Sequence, residues 1–171
     1  MAVGHGGDDF DGPCDYPLHL GVTESGPLYQ GTVKSTAAFS VLLQGGIGNT
    51  MRVSLTDDPV KEVEAAYEIL NALEIRRTKR TIVSCPTCAR ADVDIIGIAK
   101  QIDEMTKSLR KPIQIAVMGC AVNGPGEARE ADFGVACAKG YGTIFKKGKV
   151  LKTVKEEEIL SALTEQLSDY M

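Results

Sequence analysis

Cys85-Pro86-Thr87-Cys88 and, 32 residues later, Cys120 are the residues whose type and spacing carry the clearest chemistry in this chain. Thiolates held close together in a reducing compartment need a cation to offset their repulsion, and zinc and iron–sulfur clusters are the main candidates. A structural zinc site usually closes with four Cys or His ligands, often as two C-x-x-C pairs. Here the second pair is missing, and His5 and His19 lie far away in sequence. Three thiolates with one weaker ligand would leave an iron open to substrate. A thioredoxin-like dithiol and plain buried cysteines are the competing readings. Spacing puts metal ahead of both and iron–sulfur ahead of zinc, with zinc still open. Cys120 opens the run Cys120-Ala121-Val122-Asn123-Gly124-Pro125-Gly126-Glu127, whose glycines let backbone N–H groups approach an inorganic group. Cys137 is the obvious further thiolate.

The elements that must position these residues follow from periodicity and punctuation. Thr81–Ser84 reads as a strand ending at the cysteine pair. A helix is expected from Val93 to Leu109, with Ile95, Ile98, Ala99, Ile102 and Met105 inward. After Pro112, Ile113–Met118 reads as a strand that ends at Cys120. In a parallel strand–helix–strand unit both strand ends share one edge, so the three thiols can converge there. Phe133–Ala138 and Gly142–Phe145 are β-like, Lys147-Gly148 reads as a hairpin turn returning through Lys149–Val154, and Glu156–Tyr170 reads as an amphipathic helix with Ile159, Leu160, Leu163 and Leu167 inward.

Upstream, Leu18–Thr23 and Thr50–Leu55 read as strands. A Gly-rich turn is expected around Gly26 and Gly31, then a helix over Thr32–Leu43 with Val33, Ala37 and Val41 at helical spacing, stopped by Gly45-Gly46-Ile47-Gly48. Asp57-Asp58-Pro59 reads as the start of a helix running to about Ile75, with Val60, Val63, Tyr67, Leu70 and Leu73 on one face. Alternation of strand and helix predicts parallel α/β architecture for this half and a small α+β unit for the other. The charged stretch Arg76–Arg80 marks the expected boundary, and it and Lys146–Lys149 read as solvated turns.

Composition adds limits. The chain has 171 residues, 43% hydrophobic and 25% charged, enough for a real core. Net charge is −4, so no global field favours nucleic acid or an anionic membrane. No run approaches a membrane span, and residues 1–13, rich in Gly and Asp, read as a flexible leader without a secretory h-region. The cytosol is the expected compartment, where five cysteines point to metal or catalysis before disulfides.

Three runs carry a resemblance: Ser84–Cys88, Gly119–Ala128 and Ala131-Asp132-Phe133-Gly134 resemble the C-terminal domain of the 4-hydroxy-3-methylbut-2-enyl diphosphate synthase family. Asp15–Glu24 and Gly46–Thr56 resemble its last barrel segments, so the match runs from about Cys14 to near the C-terminus. The resemblance implies reductive ring opening of 2-C-methyl-erythritol 2,4-cyclodiphosphate with loss of water, giving the linear allylic diphosphate of isoprenoid biosynthesis. It implies a [4Fe–4S] cluster on Cys85, Cys88, Cys120 and Glu127, the carboxylate able to yield its iron to a substrate oxygen, and so favours Glu127 over Cys137. It implies ferredoxin or flavodoxin as electron donor and, in the full-length family, a homodimer. Glu24 matches a carboxylate for acid–base work, Arg52 and Ser54 match diphosphate contacts, and Asn123 matches a residue beside the cluster. Arg offers phosphate a planar fork and Ser a neutral donor, in keeping with that pair. His19 at a barrel mouth is weighed equally against a core histidine.

The family's bacterial members carry a complete TIM barrel ahead of the cluster domain, which takes ~250 residues. This chain has room for two β/α units, expected at residues 14–76 as the last part of a barrel, followed by a cluster domain at 80–171. It therefore reads as a C-terminal fragment with an open sheet edge and an exposed apolar face, binding a cluster but turning over little substrate. Residues before Cys14 do not resemble the family helix expected there, and Ala89 replaces a frequent glycine. A non-catalytic electron-transfer module and a structural zinc domain are the alternatives.

Overall fold

The computed structural model describes residues 16–88, 91, 93–120, 126 and 128–170, the side chain of Asp169 excepted. The chain divides into two compact units, Met1–Arg76 and Arg77–Met171.

In the first unit, β1 (His19–Gly21) and β2 (Thr50–Arg52) pair in parallel, and each is followed by a helix, α1 (Leu28–Gln44) and α2 (Pro59–Ala72). Asp58 caps α2 by accepting from the Val60 N–H at 2.8 Å, with Pro59 at the first helical position, as its sequence predicts. Gly45 ends α1. That helix starts four residues earlier than expected, and Gly31 belongs to its buried face rather than to a turn. A Cβ at Gly31 would run into the Leu55 side chain and lie 3.0 Å from the Gly26 carbonyl, so the glycine permits close helix–sheet approach. The core consists of Phe39, Val53, Ala65 and Ile69, with Leu20, Val22, Met51 and Leu55 against it. The apolar faces read from spacing are turned largely outward: Val33 and Val41 on α1 and Val60, Val63 and Tyr67 on α2 are exposed, while Leu73 packs against the core. Both helices are apolar on two sides, and a two-stranded sheet covers only one. Among the described residues there is no closed barrel, and the exposed apolar face anticipated from the sequence is present.

The second unit is a five-stranded mixed sheet in the order β3 (Thr81–Ser84), β4 (Gln114–Met118), β5 (Phe133–Ala138), β6 (Tyr141–Lys146), β7 (Lys149–Lys155). The first three strands are parallel, and the last two turn back as an antiparallel meander. Helix α3 (Ile95–Thr106) connects β3 to β4, and α4 (Ile159–Leu167), flanked by 3-10 turns, closes the chain. Ile95, Ile102, Leu163 and Leu167 pack on one face of the sheet against Ile115, Val117, Val135 and Ile144. The opposite face buries Ala116, Met118, Ala136 and Phe145 beneath Ala128 and Ala131. Gly134 lies under the Phe145 ring, where a Cβ would strike that ring and approach the Ala116 carbonyl to 2.8 Å. Lys147 and Gly148 both hold positive φ, 48° and 71°, as the expected two-residue hairpin turn requires.

Arg80 corrects the reading of Arg76–Arg80 as a solvated turn. Its side chain is largely buried, pairs with Asp103, and donates from Nε to the buried Thr106 Oγ1 at 2.8 Å, tying the start of β3 to the end of α3.

Candidate metal centre and strand-end site

Strand β3 ends where Pro86 removes the next ladder donor. Cys85 still extends the pairing, its N–H donating to the Val117 carbonyl at 3.3 Å. The parallel register, Ser84 opposite Val117 and Met118 opposite Ala136, brings the ends of β3, β4 and β5 to one edge. Cys85 follows β3 there, and Cys120 lies two residues beyond β4. The Gly119 N–H donates to Cys85 Sγ at 3.0 Å, which joins the first thiol to the backbone immediately before Cys120. Cys85 is partly buried between the cores of both sheet faces, Cys120 is partly buried, and Cys88 is exposed. The described cysteines form no disulfide.

This donor set suits a soft metal group: sulfur ligands at one edge, with a backbone N–H already directed at one of them. Among the described residues, however, no three Cys, His, Asp or Glu side chains are drawn together closely enough to hold a metal ion. Glu127 and Asn123, both expected at the cluster, lie outside the described residues, as do the 1–13 leader and Ala89. Cys137 faces the α3 and α4 core with no exposed surface, and burial pushes its thiol up to about 11. A thiol so placed is a core residue, poorly suited to ligation as a thiolate.

In the first unit, Leu20 and Met51 point into the helix-packed core, which leaves His19, Thr50, Gly21 and Arg52 on the other face. His19 Nδ1 and Thr50 Oγ1 are 2.7 Å apart on an exposed surface, so His19 is no core histidine. The Arg52 guanidinium lies across Gly21, where a Cβ would meet Nη2 at 3.3 Å. Glu24 and Ser54 follow the two strands, so Glu24, Arg52 and Ser54 share the C-terminal edge where parallel β/α folds place their chemistry. Glu24 is exposed and holds φ at 58°, an uncommon conformation for a residue with a Cβ. The sequence reading missed Ser25, a buried hydroxyl that donates to the Ser54 carbonyl and links the loops after β1 and β2. A serine beside a glycine reads as ordinary turn chemistry, so no signal marked it.

Comparison with known proteins now bears on both units. The family model described as the GcpE protein C-terminal domain matches residues 81–169, more than half of the chain. The chain belongs to the GcpE family. A second model, described as the GcpE TIM-barrel domain, matches residues 8–67. That match begins ahead of Cys14, so the resemblance extends into residues read from sequence as outside it. Among curated relatives, one from Thermodesulfovibrio yellowstonii is 54% identical over 92% of this chain and 45% of its own length. Relatives from Bacillus subtilis and Frankia alni are 52% and 56% identical over 90% of this chain, and 41% and 40% of their own lengths. All three are named 4-hydroxy-3-methylbut-2-en-1-yl diphosphate synthase (flavodoxin). The chain thus spans less than half the length of these relatives. No helix among the described residues is long and apolar enough to cross a membrane.

Proposed function

We propose that the chain is the C-terminal part of an iron–sulfur oxidoreductase that reductively opens 2-C-methyl-erythritol 2,4-cyclodiphosphate to 4-hydroxy-3-methylbut-2-enyl diphosphate. The observation that carries this reading is the Gly119 N–H directed at Cys85 Sγ, at the edge that also receives Cys120. Family membership and the relatives' names support it.

Cys85, Cys88, Cys120 and Glu127 would hold the group, a [4Fe–4S] cluster, in a domain spanning 80–171. Bound there, the cluster supplies electrons singly, two for each ring opened. The Gly119 N–H stabilises charge on the Cys85 sulfur, and the partial burial of Cys85 keeps that hydrogen bond effective. Asn123 would stand beside the group. In the first unit, read as the last two β/α units of a barrel over 14–76, Arg52 grips diphosphate oxygens and Ser54 adds a neutral donor. Loss of a hydroxyl as water consumes a proton, and Glu24, held at φ 58°, is the carboxyl placed to hold it. Flavodoxin or ferredoxin would deliver the electrons in the cytosol, and the complete enzyme would act as a homodimer.

Anaerobic reconstitution decides the reading. Iron and sulfide should load together, with visible absorption and an EPR signal on reduction. Cys85→Ser or Cys120→Ser should abolish loading, and Glu127→Ala should retain iron while changing the EPR signal and potential. Stoichiometric zinc uptake with no retention of iron and sulfide would leave a structural zinc domain instead.

A further inference from the structure

The face of the second sheet opposite α3 and α4 is only partly covered. Ala128 and Ala131 close it over Met118, Ala136 and Phe145, but the β6–β7 hairpin beyond them remains open. Register fixes which hairpin side chains share this face: Val150 stands opposite Phe145, Thr153 opposite Thr143 and Lys155 opposite Tyr141. A register irregularity after Ile144 leaves Leu151 unpaired beside Val150. Tyr141, Val150 and Leu151 expose 44%, 66% and 45% of their surface, an aromatic and aliphatic patch centred on the Thr143–Thr153 pair.

Its rim is basic. Lys139 and Lys155 stand at the cysteine end and Lys147 at the hairpin turn, all exposed, whereas Lys149, opposite Lys146, belongs to the other face. The acidic run Glu156–Glu158 begins the turn that leads to α4 on the other face. Lysines on an edge strand also discourage strand pairing, but that explains neither Lys139 and Lys147, which lie off β7, nor the exposed apolar centre. Residues 77–171 carry 15 Lys and Arg against 12 Asp and Glu, a net of +3, while residues 1–76 carry 4 against 11, a net of −7. The positive field therefore belongs to the unit bearing Cys85, Cys88 and Cys120. Tyr141 starts β6, two strands from β4, so at ~4.8 Å per strand this corner lies on the order of 10 Å across the sheet from the Cys120 edge.

We propose that this open face of β6 and β7 docks an acidic electron-donor protein of the flavodoxin kind, with Tyr141, Val150 and Leu151 as the apolar centre and Lys139, Lys147 and Lys155 as the steering rim. The inference rests on the redox reading above. It adds the surface by which the electrons enter.

The test uses the full chain after anaerobic reconstitution, titrated calorimetrically with oxidised flavodoxin at low and at moderate salt. Binding should weaken with salt. The double charge reversal Lys147→Glu with Lys155→Glu should weaken it by about tenfold or more, and Tyr141→Ala should weaken it with little change in salt dependence. Reversal to Glu of Lys100 on α3 and Lys107 at its C-terminal cap should leave affinity within about twofold. Circular dichroism of each variant controls for folding. Equal binding by the hairpin variants, equal loss in the α3 variants, or no binding by the cluster-loaded chain overturns the proposal. So does a hairpin reversal that disperses self-association, which would make a second copy the occupant. Iron and sulfide content separates the two readings: a chain that loads a cluster but ignores flavodoxin fails here alone, and one that binds flavodoxin without loading fails only the cluster assignment.

Discussion

Cys137 is buried in β5, and its thiol is raised from 9.0 to about 11, chiefly by desolvation, with Glu156 and Cys85 adding in the same direction. Below about pH 9 both the folded and the unfolded chain keep this proton, so the contribution to stability is fully present there. Between about pH 9 and 11 only the unfolded chain loses it, and stability falls by ~1.4 kcal/mol per pH unit at most. Urea unfolding across that range should therefore show a drop of about 2–3 kcal/mol in the parent that Cys137→Ala lacks. Parallel curves for the two proteins would mean that the thiol is not desolvated. Cys137→Ala should also load iron and sulfide as the parent does. At this scale cysteine type and spacing are legible along the chain, but whether a thiol faces core or edge depends on strand register, which spacing leaves open.

Helix α1 shows what periodicity cannot decide by itself. It buries one stripe, Gly31, Ser35 and Phe39, and exposes a second, apolar one, Tyr29, Val33 and Val41. The sheet takes the first because Gly31 lets the backbone approach Leu55. Phe39→Ala should cost the first unit about 3–5 kcal/mol, whereas Val33→Ser should change it by no more than about 0.5 kcal/mol. Hydrogen exchange of α1 and α2 amides under urea would measure both, and comparable losses would show that the outer stripe is packed in solution. The second unit was more legible. Its strands, the Lys147-Gly148 turn and the inward faces of α3 and α4 stand where their patterns place them, because a five-stranded sheet gives each amphipathic helix one apolar surface to cover. Arg80 escaped notice because a basic run reads as solvated until Thr106 and Asp103 are seen beside it.

For the whole molecule, the share of each relative that is matched sets the functional expectation. The chain spans 40–45% of the length of the three relatives compared, and the described part of its first unit holds two parallel strands. A barrel active site is assembled from eight strand-end loops, and a substrate left loosely held loses rate steeply. The reconstituted 171-residue polypeptide should therefore turn over the cyclodiphosphate with reduced flavodoxin at least ~100-fold more slowly than a full-length relative. Turnover comparable to such a relative would show that the two β/α units suffice.

Residue type, spacing and capping chemistry are local properties, and by themselves they determined the cysteine constellation, the Asp58–Pro59 helix start, the hairpin and the family resemblance. The tertiary structure alone decided which apolar stripe is buried, that Cys137 belongs to the core, that Arg80 is a clamp, and that β6 and β7 leave a basic-rimmed face open. Those outcomes depend on which surfaces meet across long separations in the chain, and a pattern read along one segment contains no information about its distant partner.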